Sequence, residues 1–201
     1  VFFDDRMSTT LLGHLIQAMS GDAVYNKSTF LKDALNTEVF NPNITITDDP
    51  LVVRGAGSRL CDSQGVAMQK RELVTQGVLN EWLLAIASAK KLGLVSNGFA
   101  SGTSNLTLGN GFMSREDLLN VDEGFLVTGL MGRGANITTG DYSRGAEGFL
   151  IKNGKIDRPV KGMTIGGELQ DMFKALTQAD DLKIRGATNA PTCYVGEMMV
   201  S

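Results

Sequence analysis

The pattern of apolar and polar positions predicts a helix near the start of the chain. Within residues 11–19 the apolar side chains return every three or four positions, which places them on one helical face. The polar residues 8–10 can cap the first turn, and residues 20–22 carry the glycine and polar side chains that end a helix. His14 falls on the opposite, polar side, so we expect its ring to be solvated or hydrogen-bonded.

Four shorter segments also carry helix signals, either apolar residues on a shared face or a serine at the capping position. They are residues 28–35, residues 88–92, residues 115–119 behind Ser114, and a helix opened by Gly166 and Gly167 that buries Leu169, Met172, Phe173 and Leu176. Between them, residues 96–105 are rich in Gly, Ser and Asn, which predicts turns.

Strand signals occupy much of the rest of the chain. Residues 66–74 and 78–84 flank the turn signal at 75–77 and predict an antiparallel hairpin. The pair Asn153 and Gly154 lies between two apolar runs, which is the strongest short hairpin signal. Further strands are predicted at residues 1–6, 44–47, 125–128 and 192–200. The sequence therefore predicts an α+β fold, a mostly antiparallel sheet with a few packing helices.

Length and charge fit one globular domain that binds neither membranes nor nucleic acid. With 201 residues, 42% of them hydrophobic, the chain can bury a sizeable core. No apolar stretch approaches the roughly 20 residues that span a bilayer. The 19 basic and 22 acidic residues are spread evenly and give a net charge of −3. Such a surface offers no electrostatic footprint for phosphate backbones.

The two cysteines and the first residues carry expectations about compartment and domain organisation. Cys61 and Cys193 are too few for a disulfide scaffold and form no metal-type pair, so we expect two buried thiols in a reducing cytoplasm. Residues 1–6 show no starting methionine, basic leader or cleavage site. We therefore expect residues 1–201 to be a single domain whose N-terminal neighbour lies outside this chain.

Three local motifs favour ordinary loops over binding sites. Residues 129–134 resemble a glycine-rich dinucleotide fingerprint, but residues 135–142 lack the helical pattern that must follow it, which predicts a bent strand and loop. The loop at 54–59 could hold an anion with its backbone N–H groups and two arginines, although a simple turn is the commoner structure. The acidic pairs at 48–49 and 180–181 are expected to be solvated.

The single histidine restricts the catalytic chemistry that the chain could perform. A serine hydrolase would have to use His14 as its base, and the sequence contains no Gly-x-Ser-x-Gly elbow. A zinc site would need further ligands at suitable spacing, and His14 has none. We therefore expect neither a serine hydrolase nor a metal centre built by this chain.

Several segments together resemble the C-terminal domain of the TldE/PmbA type in the TldD/TldE family, once described as modulators of DNA gyrase. They are residues 11–14, 48–67, 78–105, 139–146 with 148–149, and 153–173. They span nearly the whole chain in the order that the family shows. In this family the TldD subunit is a zinc metalloprotease with a His-Glu-x-x-x-His helix and a later cysteine, acting on peptides and unfolded proteins with TldE as its partner.

The resemblance implies that the catalytic positions of this chain are degenerate. Aligning its paired leucines with those of the family places Gly13 at the first histidine, His14 at the glutamate and Ala18 at the second histidine. Two zinc ligands and the general base are then missing. Cys193 lies beyond the loop in which the catalytic cysteine would fall. We therefore expect no cofactor in this chain and zinc in a TldD-type partner.

The partner role that the resemblance implies is to enclose the active chamber and to hold an extended peptide. Glycine-rich strands permit close backbone approach, so residues 129–144 are the predicted lining. The peptide-binding candidates are Gly132, Gly134, Asn136, Gly140, Tyr142 and Arg144. The expected partners are a TldD-type catalytic subunit or a second copy of the chain, together with peptide substrates.

Two alternative functions remain open at the level of sequence. One is a non-proteolytic binding protein that regulates a toxin–antitoxin or DNA gyrase system. The other is an enzyme with an unrecognised site. One test distinguishes the partner role from both alternatives. The partner role requires zinc-dependent peptidase activity that appears only when the chain is mixed with a His-Glu-x-x-x-His partner.

Overall fold

Two β-sheets and five helices make up the computed structural model, which describes residues 1–132 and 134–201. The elements are numbered in chain order. The helices are α1 (Ser8–Ala18), α2 (Gly21–Tyr25), α3 (Ile86–Leu92), α4 (Arg115–Leu118) and α5 (Leu169–Ala175). No helix in the described ranges is both long and apolar enough to cross a membrane.

The larger sheet has seven strands. In spatial order they are β12 (Met199–Val200), β8 (Lys155–Glu168), β7 (Asp141–Lys152), β6 (Glu123–Met131), β1 (Phe2–Phe3), β11 (Cys193–Tyr194) and β9 (Thr177–Gln178). Only β1 and β6 run parallel, with Phe2 opposite Leu126 and Phe3 opposite Val127. The long antiparallel strands β6, β7 and β8 form its centre.

The smaller sheet has five strands. In spatial order they are β10 (Thr188–Asn189), β5 (Leu106–Leu108), β2 (Ile46–Asp48), β3 (Arg71–Thr75) and β4 (Val78–Leu79). One core cluster joins side chains of both sheets with those of α1 and α5. Within it Leu11, Leu15 and Phe173 are almost fully buried, and the Phe173 ring stacks on Phe40 at 4.5 Å. The predicted α+β class with mostly antiparallel strands is confirmed.

Both predicted hairpins form at the predicted turns, although the first pairs only Arg71–Thr75 with Val78–Leu79 and not residues 66–74 with 78–84. Gln76 and Gly77 have φ angles of 49° and 81°, and Asn153 and Gly154 have 49° and 71°. Two successive positive φ values match the right-handed twist of the flanking strands, and asparagine and glycine adopt them readily. The second turn connects β7 and β8, which are far longer than the sequence indicated.

The predicted helix at 28–35 is wrong, because that segment forms turns. The Thr29 hydroxyl donates to the Ala18 carbonyl at 2.8 Å and accepts from the Leu31 N–H at 3.1 Å. These side-chain hydrogen bonds compete with a helical ladder. The chain instead forms α2 at Gly21–Tyr25, directly where the sequence predicted only the end of α1.

The single strand predicted at 192–200 is also wrong in part. It is divided into β11 and β12, which pair with different strands of the larger sheet. Gly196, at φ 91°, interrupts the extended backbone between them. The start of α1 differs in detail, since Met7 is its capping residue and the Ser8 hydroxyl donates to the Phe3 carbonyl at 3.1 Å.

Candidate functional site

The three degenerate positions of α1 point in different directions. Gly13 faces open space, where an added Cβ would meet no atom within 4 Å. Ala18 is fully buried in the core. His14 packs against β7, with its ring centroid 5.8 Å from that of Tyr142 and the rings at 75°. Positions 13 and 18 of a regular helix lie about 140° apart, so they share no face.

The prediction that the His14 ring is solvated or hydrogen-bonded is wrong. Both ring nitrogens are buried and have no hydrogen-bond partner in the described part of the chain. His14 packs against Tyr142 of β7 while Gly13 and Gln17 of α1 stay exposed, a difference that the helical pattern alone could not show. Burial, and then the charge of Arg144, lower the pKa of His14 below its ordinary value of 6.5. The imidazole is therefore neutral near pH 7.

The residues at these positions do not fit a zinc ion. Gly13 and Ala18 have no donor atoms, and the neighbouring guanidinium of Arg144 disfavours a cation beside His14. Across residues 1–132 and 134–201, no group of three or more His, Cys, Asp or Glu side chains is arranged to hold a metal ion. The donor set of this helix therefore supplies no metal-assisted step.

The predicted peptide lining forms an extension of the β6–β7 hairpin. Beyond the end of β6, the Ser143 N–H donates to the Gly134 carbonyl at 2.6 Å and the Asn136 N–H donates to the Asp141 carbonyl at 2.9 Å. The Gly140 N–H closes the turn on the Asn136 carbonyl at 2.8 Å. At Gly134 a Cβ would overlap the Ser143 carbonyl, so this close pairing requires glycine.

The two sides of this hairpin differ in whether their main chain is free. β7 is paired on both sides at Tyr142, with Gly167 of β8 and with Ala135. On the other side, β1 pairs only as far as Val127. On the side that faces away from β7, residues 129–132 and 134–136 form no backbone hydrogen bond with any described residue. We call these residues the free edge.

The six predicted binding residues occupy three different environments. Gly132, Gly134 and Asn136 belong to the free edge. Tyr142 is only 2% exposed, and Gly140 is buried at φ 97° with no room for a side chain beside the Gln170 amide. Arg144 is half-buried on β7, as a near neighbour of Tyr142, and its guanidinium donates to the Gly132 carbonyl of the free edge. Their role in peptide binding stays a prediction.

A polar cluster that the sequence did not predict lies beneath the free edge. Arg144 donates from Nη2 to the Gly132 carbonyl at 2.9 Å. The Tyr142 hydroxyl, the Arg144 Nε and both His14 nitrogens are buried without partners among the described residues. Burial raises the pKa of Tyr142 to about 12. Positions 142 and 144 share one face of a strand, but only the packing of α1 brings His14 to them.

Arg59 in the loop at 54–59 and Asp48 in the acidic pair at 48–49 both make structural contacts. Arg59 Nη2 lies 2.7 Å from the Gly102 carbonyl and 2.8 Å from the Thr103 carbonyl, so this arginine clamps a neighbouring loop. The expectation that Asp48 is solvated is wrong. It is buried and accepts hydrogen bonds from the Ser104 N–H and hydroxyl, while burial raises its pKa.

Asp181 and Cys61 also differ from expectation. Asp181 accepts from the Thr192 N–H and hydroxyl, both at 2.8 Å, and is therefore bonded rather than freely solvated. The Cys61 thiol is exposed, whereas Cys193 is buried as predicted. Burial raises the pKa of Cys193 to about 12, so its thiol stays protonated.

Comparisons with known proteins agree with this architecture. The PmbA/TldA metallopeptidase C-terminal domain family matches residues 1–201. The whole chain is 39% identical over 203 residues to Metalloprotease PmbA of Escherichia coli O157:H7. It is 40% identical over 208 residues to the Metalloprotease PmbA homolog of Haemophilus influenzae. In each case it covers 45% of the relative, so it spans about half the length of these proteins.

Solved structures show the same fold. A crystal structure of a candidate modulator of DNA gyrase from Bacteroides thetaiotaomicron matches with a TM-score of 0.92 at 33% identity, over all of this chain and 46% of that one. TldE from Thermococcus kodakarensis matches with a TM-score of 0.82 at 23% identity, over 96% of this chain and 47% of that one, which shows the fold alone. The chain therefore belongs to the PmbA/TldD family of metalloprotease-like proteins, as a C-terminal domain of that family.

Proposed function

We propose that this chain is the C-terminal domain of a non-catalytic TldE/PmbA-type subunit. In this proposal it acts with a TldD-type catalytic subunit in a zinc metalloprotease complex that processes peptides and unfolded proteins. The observation that supports the proposal is the chemistry of α1, since Gly13 and Ala18, which the family resemblance aligns with zinc ligands, have no donor atoms.

Metal-assisted peptide hydrolysis needs ligands that hold the ion and a base that activates its water. On α1 two of the three positions have no donor atom, and the neutral imidazole of His14 lies against Tyr142 and Arg144. A partner subunit must then supply both zinc and the general base. A second copy of this chain would bring the same residues, so the heterologous partner is the better-supported choice.

The free edge supports the peptide-holding part of the proposal. In a strand the N–H and C=O of one residue point to the same side, and this side alternates along the chain. Because Gly134 and Asn136 bond to β7, the main-chain groups of Ala135 point away from it. An extended peptide can pair with such an edge by strand addition. Gly132 and Gly134 leave room for its backbone to approach.

We also propose that the complex is cytoplasmic. Within the described residues Cys61 and Cys193 are both free, and an exposed unpaired thiol suits a reducing compartment. The length and net charge of the chain are compatible with this location but do not select it.

Reconstitution tests the proposed function. The full-length protein, a TldD-type subunit encoded beside its gene and an equimolar mixture are each incubated with an unstructured peptide, with and without a zinc chelator. We expect chelator-sensitive cleavage that rises strongly in the mixture, and a complex of both chains in size-exclusion chromatography with light scattering. Cleavage by the full-length protein alone, or no effect of adding it to its partner, contradicts the proposal.

A further inference from the structure

Arg144 is a half-buried cation without an anion. None of the ion pairs formed by residues 1–132 and 134–201 includes it. Its one hydrogen bond goes to the neutral carbonyl of Gly132, and its Nε is buried without a partner among those residues. Removing a charge from water without pairing it costs several kcal/mol, on the order expected for buried ions generally. The position therefore favours an incoming negative group.

The side chains around Arg144 are of the kinds that bind an oxyanion. Tyr142 is 2% exposed, and burial raises its pKa, while the Arg144 guanidinium lies close enough to the Tyr142 hydroxyl to lower that pKa in part. Beside it the His14 ring offers one N–H donor in its neutral form. Guanidinium, phenol and imidazole N–H groups together form a donor-rich set, and no described carboxylate accepts a hydrogen bond from it.

We infer that Arg144, Tyr142 and His14 form a subsite that binds a carboxylate of the peptide held on the free edge. The inference rests on the proposed function, because it needs a peptide beside Gly132. The Arg144 guanidinium already reaches Gly132, so it lies next to the position of an added strand. A carboxylate there gives the guanidinium an ionised acceptor, which forms a stronger hydrogen bond than the neutral carbonyl of Gly132 does.

The carboxylate has two sources, an acidic side chain and the C-terminus of the peptide. Four fluorescent peptides distinguish these two sources. They share one sequence except for Glu or Gln at a central position, and each of the two is made with a free or an amidated C-terminus. Each is titrated by fluorescence anisotropy into the complex of the full-length protein with its TldD-type subunit, after chelation of zinc to prevent cleavage. Preference for Glu identifies the side chain, and preference for the free acid identifies the terminus.

We expect the preferred carboxylate peptide to bind about tenfold more tightly than its neutral counterpart, as for one charge-assisted hydrogen bond. Arg144→Gln should abolish this preference, so that the variant binds the carboxylate peptide and its neutral counterpart equally. Arg158→Gln is the matched control, since it removes the same charge from an exposed position of β8 and should keep the preference. If Arg144→Gln does not fold, Tyr142→Phe should reduce the preference about threefold, as for one neutral hydrogen bond.

The binding of a carboxylate also predicts a pH dependence. Burial and the charge of Arg144 keep the His14 ring neutral, and a carboxylate beside it favours its protonation. The preference should therefore grow as the pH falls from about 7.5 to about 6, and His14→Gln should remove this growth. Equal affinity for all four peptides, or a preference that survives Arg144→Gln, overturns the subsite alone. No binding of any peptide overturns the proposed function together with it.

Discussion

The rings of His14 and Tyr142 meet edge to face, with centroids 5.8 Å apart and planes at 75°. This contact joins α1, which carries the aligned catalytic positions, to β7 of the larger sheet. It leaves both imidazole nitrogens and the phenol hydroxyl buried without partners among the described residues. The helix therefore packs its histidine against β7 rather than exposing it to solvent.

Tyr142→Phe tests whether the buried hydroxyl is unpaired in the isolated domain. Removing a buried polar atom that makes no hydrogen bond relieves its desolvation penalty, so we expect the free energy of unfolding to stay equal or rise by about 1 kcal/mol. Tyr142→Ala, which also removes the buried ring, should lower it by about 3–5 kcal/mol. Urea denaturation checks both values. A clear loss of stability in Tyr142→Phe contradicts the geometry of the cluster.

Two glycine-to-alanine substitutions should change the free energy of unfolding in opposite directions, one on the open face of α1 and one in the tight hairpin. Gly13→Ala places a methyl group in open space inside a helix, so the free energy of unfolding should rise by about 0.5–1 kcal/mol. Gly134→Ala brings its Cβ onto the Ser143 carbonyl and should lower it by about 2 kcal/mol. Thermal and urea unfolding measure both changes. A stable Gly134→Ala variant would mean that the hairpin extension is looser than described.

The buried imidazole makes stability depend on pH. Burial and then the Arg144 charge lower the pKa of His14 in the folded chain below 6.5, so the unfolded state binds the proton more tightly. The free energy of unfolding should therefore fall as the pH drops through 6.5. Urea titrations at about pH 7.5 and about pH 5.5 should show a larger loss for the natural chain than for His14→Gln. Equal losses would place His14 in solvent.

Strand addition makes a prediction for Ala135. Its N–H points away from β7 and has no described partner, so Ala135→Pro removes a donor that only a bound peptide would use. We expect kcat/KM of the reconstituted pair to fall about tenfold, mainly through KM, as for the loss of one strand hydrogen bond and its register. Ala135→Ser keeps the N–H and is the control. If both variants cleave alike, the peptide lies elsewhere.

The sequence predicted those helices and turns that are determined by residues close together in the chain. The stripe of Leu11 and Leu15 predicted α1, and the pair Asn153 and Gly154 predicted the turn between β7 and β8. The free edge could not be predicted, because it exists only where β1, a strand of two residues, stops pairing at Val127. Such a boundary depends on the tertiary position of the chain start.

The candidate site was predictable in composition but not in arrangement. The segment that contains Gly132 and Gly134 was identified from its glycines, and these residues do lie on an edge. The burial of Tyr142 and the partnership of Arg144 with His14 required the packing of α1 on β7, which no local pattern encodes. The polar side of an amphipathic helix is solvated only where no other element covers it.

Zinc content measured together with activity tests the central claim most directly. The full-length protein, its TldD-type partner and the reconstituted pair are each loaded with zinc, desalted and analysed by mass spectrometry alongside peptide hydrolysis. We expect no stoichiometric zinc in the full-length protein alone, and about one ion for each pair, held by the partner. About one tightly bound zinc in the full-length protein alone, together with peptidase activity of that protein, would contradict the proposal.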